Sequence, residues 1–345
     1  MTDANQGASP AKAGEAPSPS GPADLAAAAR LYGVAAADLQ ALGAFESDVY
    51  AFAADGAPRI LKVIAPTHRT PELVQAEVDW LLALVGADVS VSAPVPSVEG
   101  RYVELLPETG HVLVAFERAP GAVAPASTWT DEHLERWGRL LGQLQAHART
   151  YAPPGPRRRP LAEHSYSSRL PELEADDPGF VAAARQVMDR AAPLLAEDGA
   201  GLDAGLIHAD LHSGNLLVHE DAVTAVDFDD CGYGSYAFDV AMPLYYSVRQ
   251  LVRAHEGITY EAAAERFLTP FLRGFTSVAP LPSGGGEAID LALRLRQVEL
   301  VAALRLKFLQ AKDDPGLVQL MKDLRDRVVS GVEVVPLKTL KAFFG

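Results

Sequence analysis

Apolar and polar residues alternate over 48–54 (DVYAFAA) and again over 59–64 (RILKVI), with Asp55-Gly56 between them. Two period-two runs joined by a short polar turn predict a β-hairpin. Thr70-Pro71-Glu72 then provides an N-cap, a proline at the first helical position and an acid in the first turn, so a helix is expected from there to Val85, ending at Gly86. Leu73, Glu77, Trp80, Leu81 and Leu84 share one face of it. Pro94 and Pro96 mark extended chain, and 101–106 and 111–116 read as two more strands. Glu117-Arg118-Ala119-Pro120-Gly121 breaks the pattern. From Thr130 the period becomes helical, with Leu134, Trp137, Leu141, Leu144 and Ala148 in one stripe. Further helices are expected at 178–196, 236–254, 258–275, 287–311 and 315–330, with a loop rich in Pro and Arg over 151–171. A short helix over Asp24–Tyr32, ended by Gly33, precedes the first hairpin. The pattern predicts an α+β fold: a small mixed lobe over 25–117 with one prominent helix, and a larger, mainly helical lobe over 118–345, joined at 117–121.

One stretch departs from this regularity. Residues 205–230 read GLIHADLHSGNLLVHEDAVTAVDFDD. Leu216-Leu217-Val218 and Val223–Val226 form a second predicted hairpin, turning at His219-Glu220-Asp221. It follows His208-Ala209-Asp210 and Asn215, and it delivers Asp227 at its end. Phosphoryl transfer needs a cation bridging phosphates, a lysine on the phosphates, and a carboxylate that orients and deprotonates the attacking hydroxyl. Asp210 suits the carboxylate role. Asn215 and Asp227 offer neutral and anionic oxygens for Mg²⁺. Lys62 lies in an apolar strand, where strict alternation would also let it face solvent. Glu77 projects from a largely apolar stripe, where a carboxylate needs a cationic partner, and Lys62 is the candidate. The same stretch allows a second reading. His208-x-Asp210-x-His212 could hold zinc or manganese in a hydrolase, although the other histidines show no supporting pair. In a third reading Asp210 and Asp227 only stabilise loops in a nucleotide-binding protein without catalysis.

Composition narrows the partners. A length of 345 residues fits about two domains or lobes at roughly 150 residues each. A net charge of -15 argues against nucleic acid. The single cysteine, Cys231, excludes a disulfide framework and a cysteine metal site within one chain, as expected in the cytoplasm. No apolar run approaches the ~18 residues of a membrane span. Residues 1–24, rich in Ala, Pro, Gly and Ser, are expected to form a disordered tail without a signal sequence. Composition does not indicate an oligomeric state.

The wording H-A-D-L-H-S-G-N over 208–215, V-D-F-D-D-C-G-Y-G over 226–234 and F-D-V-A over 238–241 resembles the aminoglycoside phosphotransferase and choline kinase group, enzymes of protein-kinase-like fold. Ile60–Val63, Glu77–Leu81 and Phe116–Gly121 extend the resemblance, which covers roughly 30–330. It implies transfer of the γ-phosphoryl group of ATP, with GTP as an alternative donor, to a hydroxyl of an aminoglycoside, homoserine or amino alcohol. A protein Ser/Thr kinase of the bacterial stress-response type is the alternative. By the same resemblance, Lys62 contacts the nucleotide phosphates and pairs with Glu77. The turn from Gly43 to Ser47 lies over the phosphates, and the backbone around Glu117 and Arg118 borders the adenine pocket. Asp210 is the base, Asn215 and Asp227 bind Mg²⁺, and Asp239 braces the catalytic loop. Asp229 and Asp230 either cap the turn after Asp227 or face the acceptor. Ala209 stands where the family has glycine, which restricts that position to backbone conformations open to a residue with a Cβ.

Overall fold

The computed structural model describes residues 20–44, 47–163, 166–307 and 314–345. The expected tail over 1–19, Phe45 and Glu46 of the expected phosphate turn, and the end of the helix expected to reach 311 lie outside them. The small lobe is an antiparallel sheet. Strands β1 (Gln40–Ala44), β2 (Asp48–Ala54) and β3 (Ala57–Ile64) form a meander, and β6 (Val112–Glu117) follows β3. The short strands β4 (Pro94–Val95) and β5 (Val103–Leu105) both pair with β6. The register sets Lys62 opposite Val49 on one side and Val114 on the other, so it stands in the middle of the sheet.

The tail expectation over 1–24 is corrected at its end. Helix α1 (Pro22–Leu31) begins before Asp24. The Ser20 N–H donates to Asp48 Oδ2 at 3.2 Å, and Asp24 accepts from the Gly21 N–H at 3.0 Å and from Thr109 at 2.8 Å. These bonds stabilise a segment whose composition alone would leave it disordered.

Helix α2 (Pro71–Gly86) packs on the sheet, capped by Thr70, whose hydroxyl accepts from the Leu73 N–H at 3.4 Å. Its buried face carries Glu77 among Val74, Val78, Trp80, Leu81 and Leu84. The larger lobe comprises α3 (Asp131–Ala148), α4 (Pro178–Leu195), α5 (Tyr236–Ala254), α6 (Tyr260–Thr276), α7 (Gly285–Lys307), α8 (Pro315–Val329) and α9 (Leu337–Phe344). Two small ribbons face the sheet lobe: β7 (Ala204–Ile207) with β10 (Gly232–Ser235), and the hairpin β8 (Leu216–His219) with β9 (Ala222–Ala225). The β7–β10 pair and α9 were not foreseen.

The lobes are tied through backbone. Ser92 N–H donates to Ala225 O at 3.1 Å, and Ala122 exchanges hydrogen bonds with Val218 at 3.1 and 3.0 Å. Gly121 passes β8 at φ 100°, where a Cβ would stand 2.3 Å from Val218 O, so only glycine fits the crossing. The connector between lobes is therefore anchored to the hairpin that carries Asn215 and Asp227.

Helices α3 and α6 cross at equally close range. A Cβ on Gly138 would lie 1.8 Å from Phe271 O, and one on Gly274 1.8 Å from Glu135 O. The approach brings Trp137 edge-on to Phe267 at 5.5 Å between ring centroids. Gly138→Ala should force the helices apart and cost about 2–3 kcal/mol, the range of overpacked cores, read as a lowered urea midpoint with unchanged slope. An unchanged midpoint would show that the crossing yields freely.

Candidate active site

The site forms where β3, α2 and the 205–231 stretch meet. Lys62 reaches across from the sheet, with Nζ 2.7 Å from Asp227 Oδ1 and 2.9 Å from Asp229 Oδ1. Its side chain is 12% exposed, so the solvent-facing orientation that alternation allowed is not adopted. Burial alone would lower the lysine pKa, but the Asp227, Asp229 and Glu77 carboxylates hold it above its ordinary value.

The expected Lys62–Glu77 pair takes another form. Glu77 Oε2 accepts from Arg69 Nη1 at 3.3 Å and lies 3.9 Å from Arg158 Nη1. Arg69 also lies 3.5 Å from Asp229 Oδ1 and 4.0 Å from the more exposed Asp230. Arg158 donates to the carbonyls of Cys231 at 2.6 Å, Asp229 at 2.6 Å and Leu73 at 3.0 Å. Lys62 and Glu77 thus belong to one cluster, with the two arginines set between the helix and the Asp-rich turn. The arginines supply bidentate donors that a single ammonium lacks. Burial, and then Asp229, raise the Glu77 pKa against the pull of Arg69, Lys62 and Arg158. Burial would also raise Asp229, but Lys62 and Arg69 hold it well below the usual carboxylate range. Asp229 is committed to this cluster. Asp230 is half exposed at the cleft.

Asp210 sits on the loop after β7. Two backbone N–H groups of that loop, His208 at 3.4 Å and Ala209 at 2.9 Å, donate to Asp239 in the first turn of α5. Burial pushes the Asp239 carboxyl up to about 7 against these donors. Ala209 adopts φ 67° despite its Cβ, a left-handed conformation that glycine takes freely, and strain of roughly 1–2 kcal/mol is accepted there. Asn215 Nδ2 donates to Asp210 O at 3.0 Å, and the Val226 N–H donates to Asn215 O at 3.0 Å. The amide N–H is thus used internally, which leaves the amide oxygen, the atom a hard cation takes. Asp227, at φ 63° and with its side chain 46% exposed, supplies an anionic oxygen beside it. An amide and a carboxylate completed by phosphate oxygens suit Mg²⁺ better than zinc.

The histidines have other work. His208 is buried against Phe228, with ring centroids 4.5 Å apart, and its Nε2 lies 3.3 Å from Val226 O. His212 Nδ1 accepts from the Gly214 N–H at 2.8 Å, and its ring packs on Tyr246. Among the described residues no group of three or more His, Cys, Asp or Glu is arranged for a metal ion. The metallohydrolase reading therefore finds no support.

Asp210 has a partner that sequence reasoning missed. Arg296 on α7 donates to Asp210 Oδ1 at 2.8 Å and also to the Tyr246 hydroxyl. Burial would raise the Asp210 pKa, but Arg296 and His212 hold it low. Gln250 on α5 accepts from the Ala126 N–H at 2.7 Å and donates to Ser213 at 3.0 Å, steadying the loop that follows Asp210. Gly43 lies in β1 beside a bulge, and Ser47 is buried where β2 begins. Glu117 is exposed, 3.4 Å from Arg59, and its carbonyl accepts from Ser92 at 2.6 Å. The Arg118 N–H donates to Pro58 O at 3.1 Å. None of these residues makes a contact of the charged cluster.

Two outcomes test these electrostatics. Arg69→Met leaves Glu77 and Asp229 buried short of a cation and should cost about 3–5 kcal/mol, whereas Arg59→Met removes only a surface pair and should cost less than about 1 kcal/mol. Equal losses in chemical denaturation would refute the cluster. Asp210 and Asp229 titrate lower in the folded chain than in the unfolded one, so over that range the folded state binds fewer protons. The stability they give is present above about pH 4 and drains as pH falls toward their folded values. Asp229→Asn should flatten the loss of unfolding free energy between pH 4 and pH 2, and an unchanged slope would contradict the assignment.

The chain is similar to known phosphotransferases. An amicoumacin kinase from Bacillus subtilis (strain 168) is 28% identical over 289 residues, covering 82% of this chain and 84% of that protein. An amicoumacin kinase solved in complex with AMP-PNP, Ca²⁺ and Ami superposes with a TM-score of 0.82 at 25% identity, covering 90% of this chain and 94% of the other. A microcompartment-associated aminopropanol kinase shares the fold, with a TM-score of 0.67 at 22% identity over 88% of this chain and 94% of its own. The profile of the phosphotransferase enzyme family matches residues 38–281, most of the folded chain, and the protein belongs to that family.

Proposed function

We propose that this chain transfers the γ-phosphoryl group of ATP to a hydroxyl of a small molecule, using Mg²⁺, with GTP as an alternative donor. The carrying observation is that Lys62, Asp227, Asn215 and Asp210 converge from both lobes on one cleft. The relative solved with AMP-PNP and Ca²⁺ supports a nucleotide and a divalent cation. The amicoumacin kinases favour a small acceptor, and nothing in the comparisons favours a protein acceptor.

Each side chain then has a task. Lys62 exchanges its bonds to Asp227 and Asp229 for nucleotide phosphate oxygens, while Arg69 keeps Asp229 in place. Asn215 and Asp227 would hold the divalent cation, which supplies charge neutralisation across the phosphates. Asp210 accepts a hydrogen bond from the acceptor hydroxyl and takes its proton as the new P–O bond forms. With a pKa held low, Asp210 is a weak base, so its main contribution is orientation, as expected where bond breaking runs ahead of nucleophilic attack. Gly43 and Ser47 border the phosphates, and the backbone at Glu117 and Arg118 borders the base. Movement of the lobes about 117–121 excludes water. Among the described residues no helix is long and apolar enough to cross a membrane.

Asp210→Asn should lower transfer by about 10²–10⁴-fold while nucleotide affinity stays within a few-fold of wild type. Asp227→Ala should abolish the dependence of nucleotide binding on divalent cation, measured by calorimetry with and without chelator. Normal turnover in the first variant, or retained cation dependence in the second, would overturn the assignment of roles.

A further inference from the structure

Arg296 belongs to the Asp210 environment, and the transfer step leaves its donor chemistry unused. It comes from α7, where Arg294, two positions earlier, is absorbed in structure: it donates to Asp290 Oδ2 and Gly331 O, both at 2.8 Å. Arg296 turns instead to the cleft. Its Nη2 serves both Asp210 Oδ1 and the Tyr246 hydroxyl, and its guanidinium lies over the Tyr246 ring, 5.2 Å from the centroid. Its buried Nε has no partner among the described residues. The guanidinium is therefore fixed in place by Tyr246, which in turn packs on His212, yet most of its donors are unspent. An unspent buried guanidinium donor is costly unless a ligand meets it.

Its position relative to Asp210 limits what that ligand can be. One Asp210 oxygen holds Arg296. The other lies at longer range, 3.5 Å, from both His212 Nε2 and Asn215 Nδ2, and is the one open to an acceptor hydroxyl. A hydroxyl bound there sits next to the guanidinium, so the substituent on the adjacent carbon comes within its reach. An ammonium group at that place would meet a like charge, with Arg249 over the neighbouring Tyr245 ring at 5.4 Å adding more. An oxygen acceptor would satisfy the guanidinium. Asp230, near Arg296 at the cleft mouth, is positioned to attract a more distant amine.

We propose that Arg296 determines acceptor specificity: the substrate carries a carbonyl or carboxylate oxygen on the carbon next to its phosphorylated carbinol region, and the guanidinium of Arg296 binds that oxygen while keeping its hold on Asp210. This rests on the phosphotransfer reading above. It separates the acceptor class from simple amino alcohols, whose polar group at that distance is only an amine.

Matched pairs test it. Serine and threonine, with their amides, are assayed against ethanolamine and 1-aminopropan-2-ol, the same molecules without the carboxyl carbon. Phosphate ester is read by mass spectrometry and nucleotide consumption is followed in parallel. The carbonyl-bearing members should be preferred at least about tenfold in kcat/KM, as for a site built to hydrogen-bond a group that the analogue lacks. In Arg296→Gln that preference should collapse, with KM raised more for those members than for the amines, and Arg296→Lys should restore part of it. Equal or better transfer to the decarboxylated amines, no transfer to any member while nucleotide is still consumed, or a preference that survives in both variants would overturn the proposal. Absence of nucleotide turnover altogether would strike at the phosphotransfer reading itself.

Discussion

Six charged side chains packed between the lobes are the constraint on which the rest of this molecule depends. Lys62 and Arg69 from the sheet lobe, Glu77 from α2 and Arg158 from the long loop meet Asp227 and Asp229 of the Asp-rich turn. None could be buried alone, because the desolvation of an isolated ion far exceeds what a fold can spare. Together they neutralise one another and set the turn relative to α2. The backbone follows: Arg158 holds the carbonyls of Asp229 and Cys231, and the β7–β10 pair then places Asp210 beside the turn.

This arrangement also explains how a stable fold can hold a reactive site. Arg69, Arg158 and Glu77 hold the cluster together even when Lys62 leaves it. Lys62 and Asp227 bond to each other at 2.7 Å, and in the proposed reaction they exchange that bond for ligand contacts. Asp210 is treated in the same way. Asp239 and Gln250 fix its loop from α5, while its carboxylate is engaged only by groups at the cleft, chiefly Arg296. The left-handed backbone at Ala209 and Asp227 marks where the chain bends most sharply to present these carboxylates, and the surrounding hydrogen bonds hold that strain.

Much of this was legible in the sequence where the signal is local. Thr70-Pro71 marked the start of α2, its stripe placed Glu77 among apolar neighbours, and the apolar runs 216–218 and 223–226 predicted the hairpin between Asn215 and Asp227. The role of Asp239 as a brace was also expected, and its two N–H donors are in place. What escaped is non-local. Arg69 lies in a turn, Arg158 in a proline-rich loop and Arg296 among several arginines of an amphipathic helix, and no periodicity distinguishes them from solvated charges. Arg296 is 86 residues from Asp210. Lys62 and Glu77 were each recognised, but the arginines interposed between them could not be. Strand β10 reads Gly-Tyr-Gly-Ser, which has no apolar alternation, and it forms because β7 offers a partner. Residues 20–24 look like tail by composition and are ordered by Asp48 and Thr109 from elsewhere in the lobe.

The central claim is that the cleft moves a phosphoryl group from nucleotide to a carbon-bound hydroxyl. The most direct measurement is ³¹P NMR of the wild-type protein with ATP, Mg²⁺ and a mixture of hydroxyl-bearing small molecules. The account predicts that the γ-phosphate signal is replaced by a phosphomonoester resonance together with ADP. Conversion to inorganic phosphate alone, or an unchanged spectrum with nucleotide bound, would contradict it.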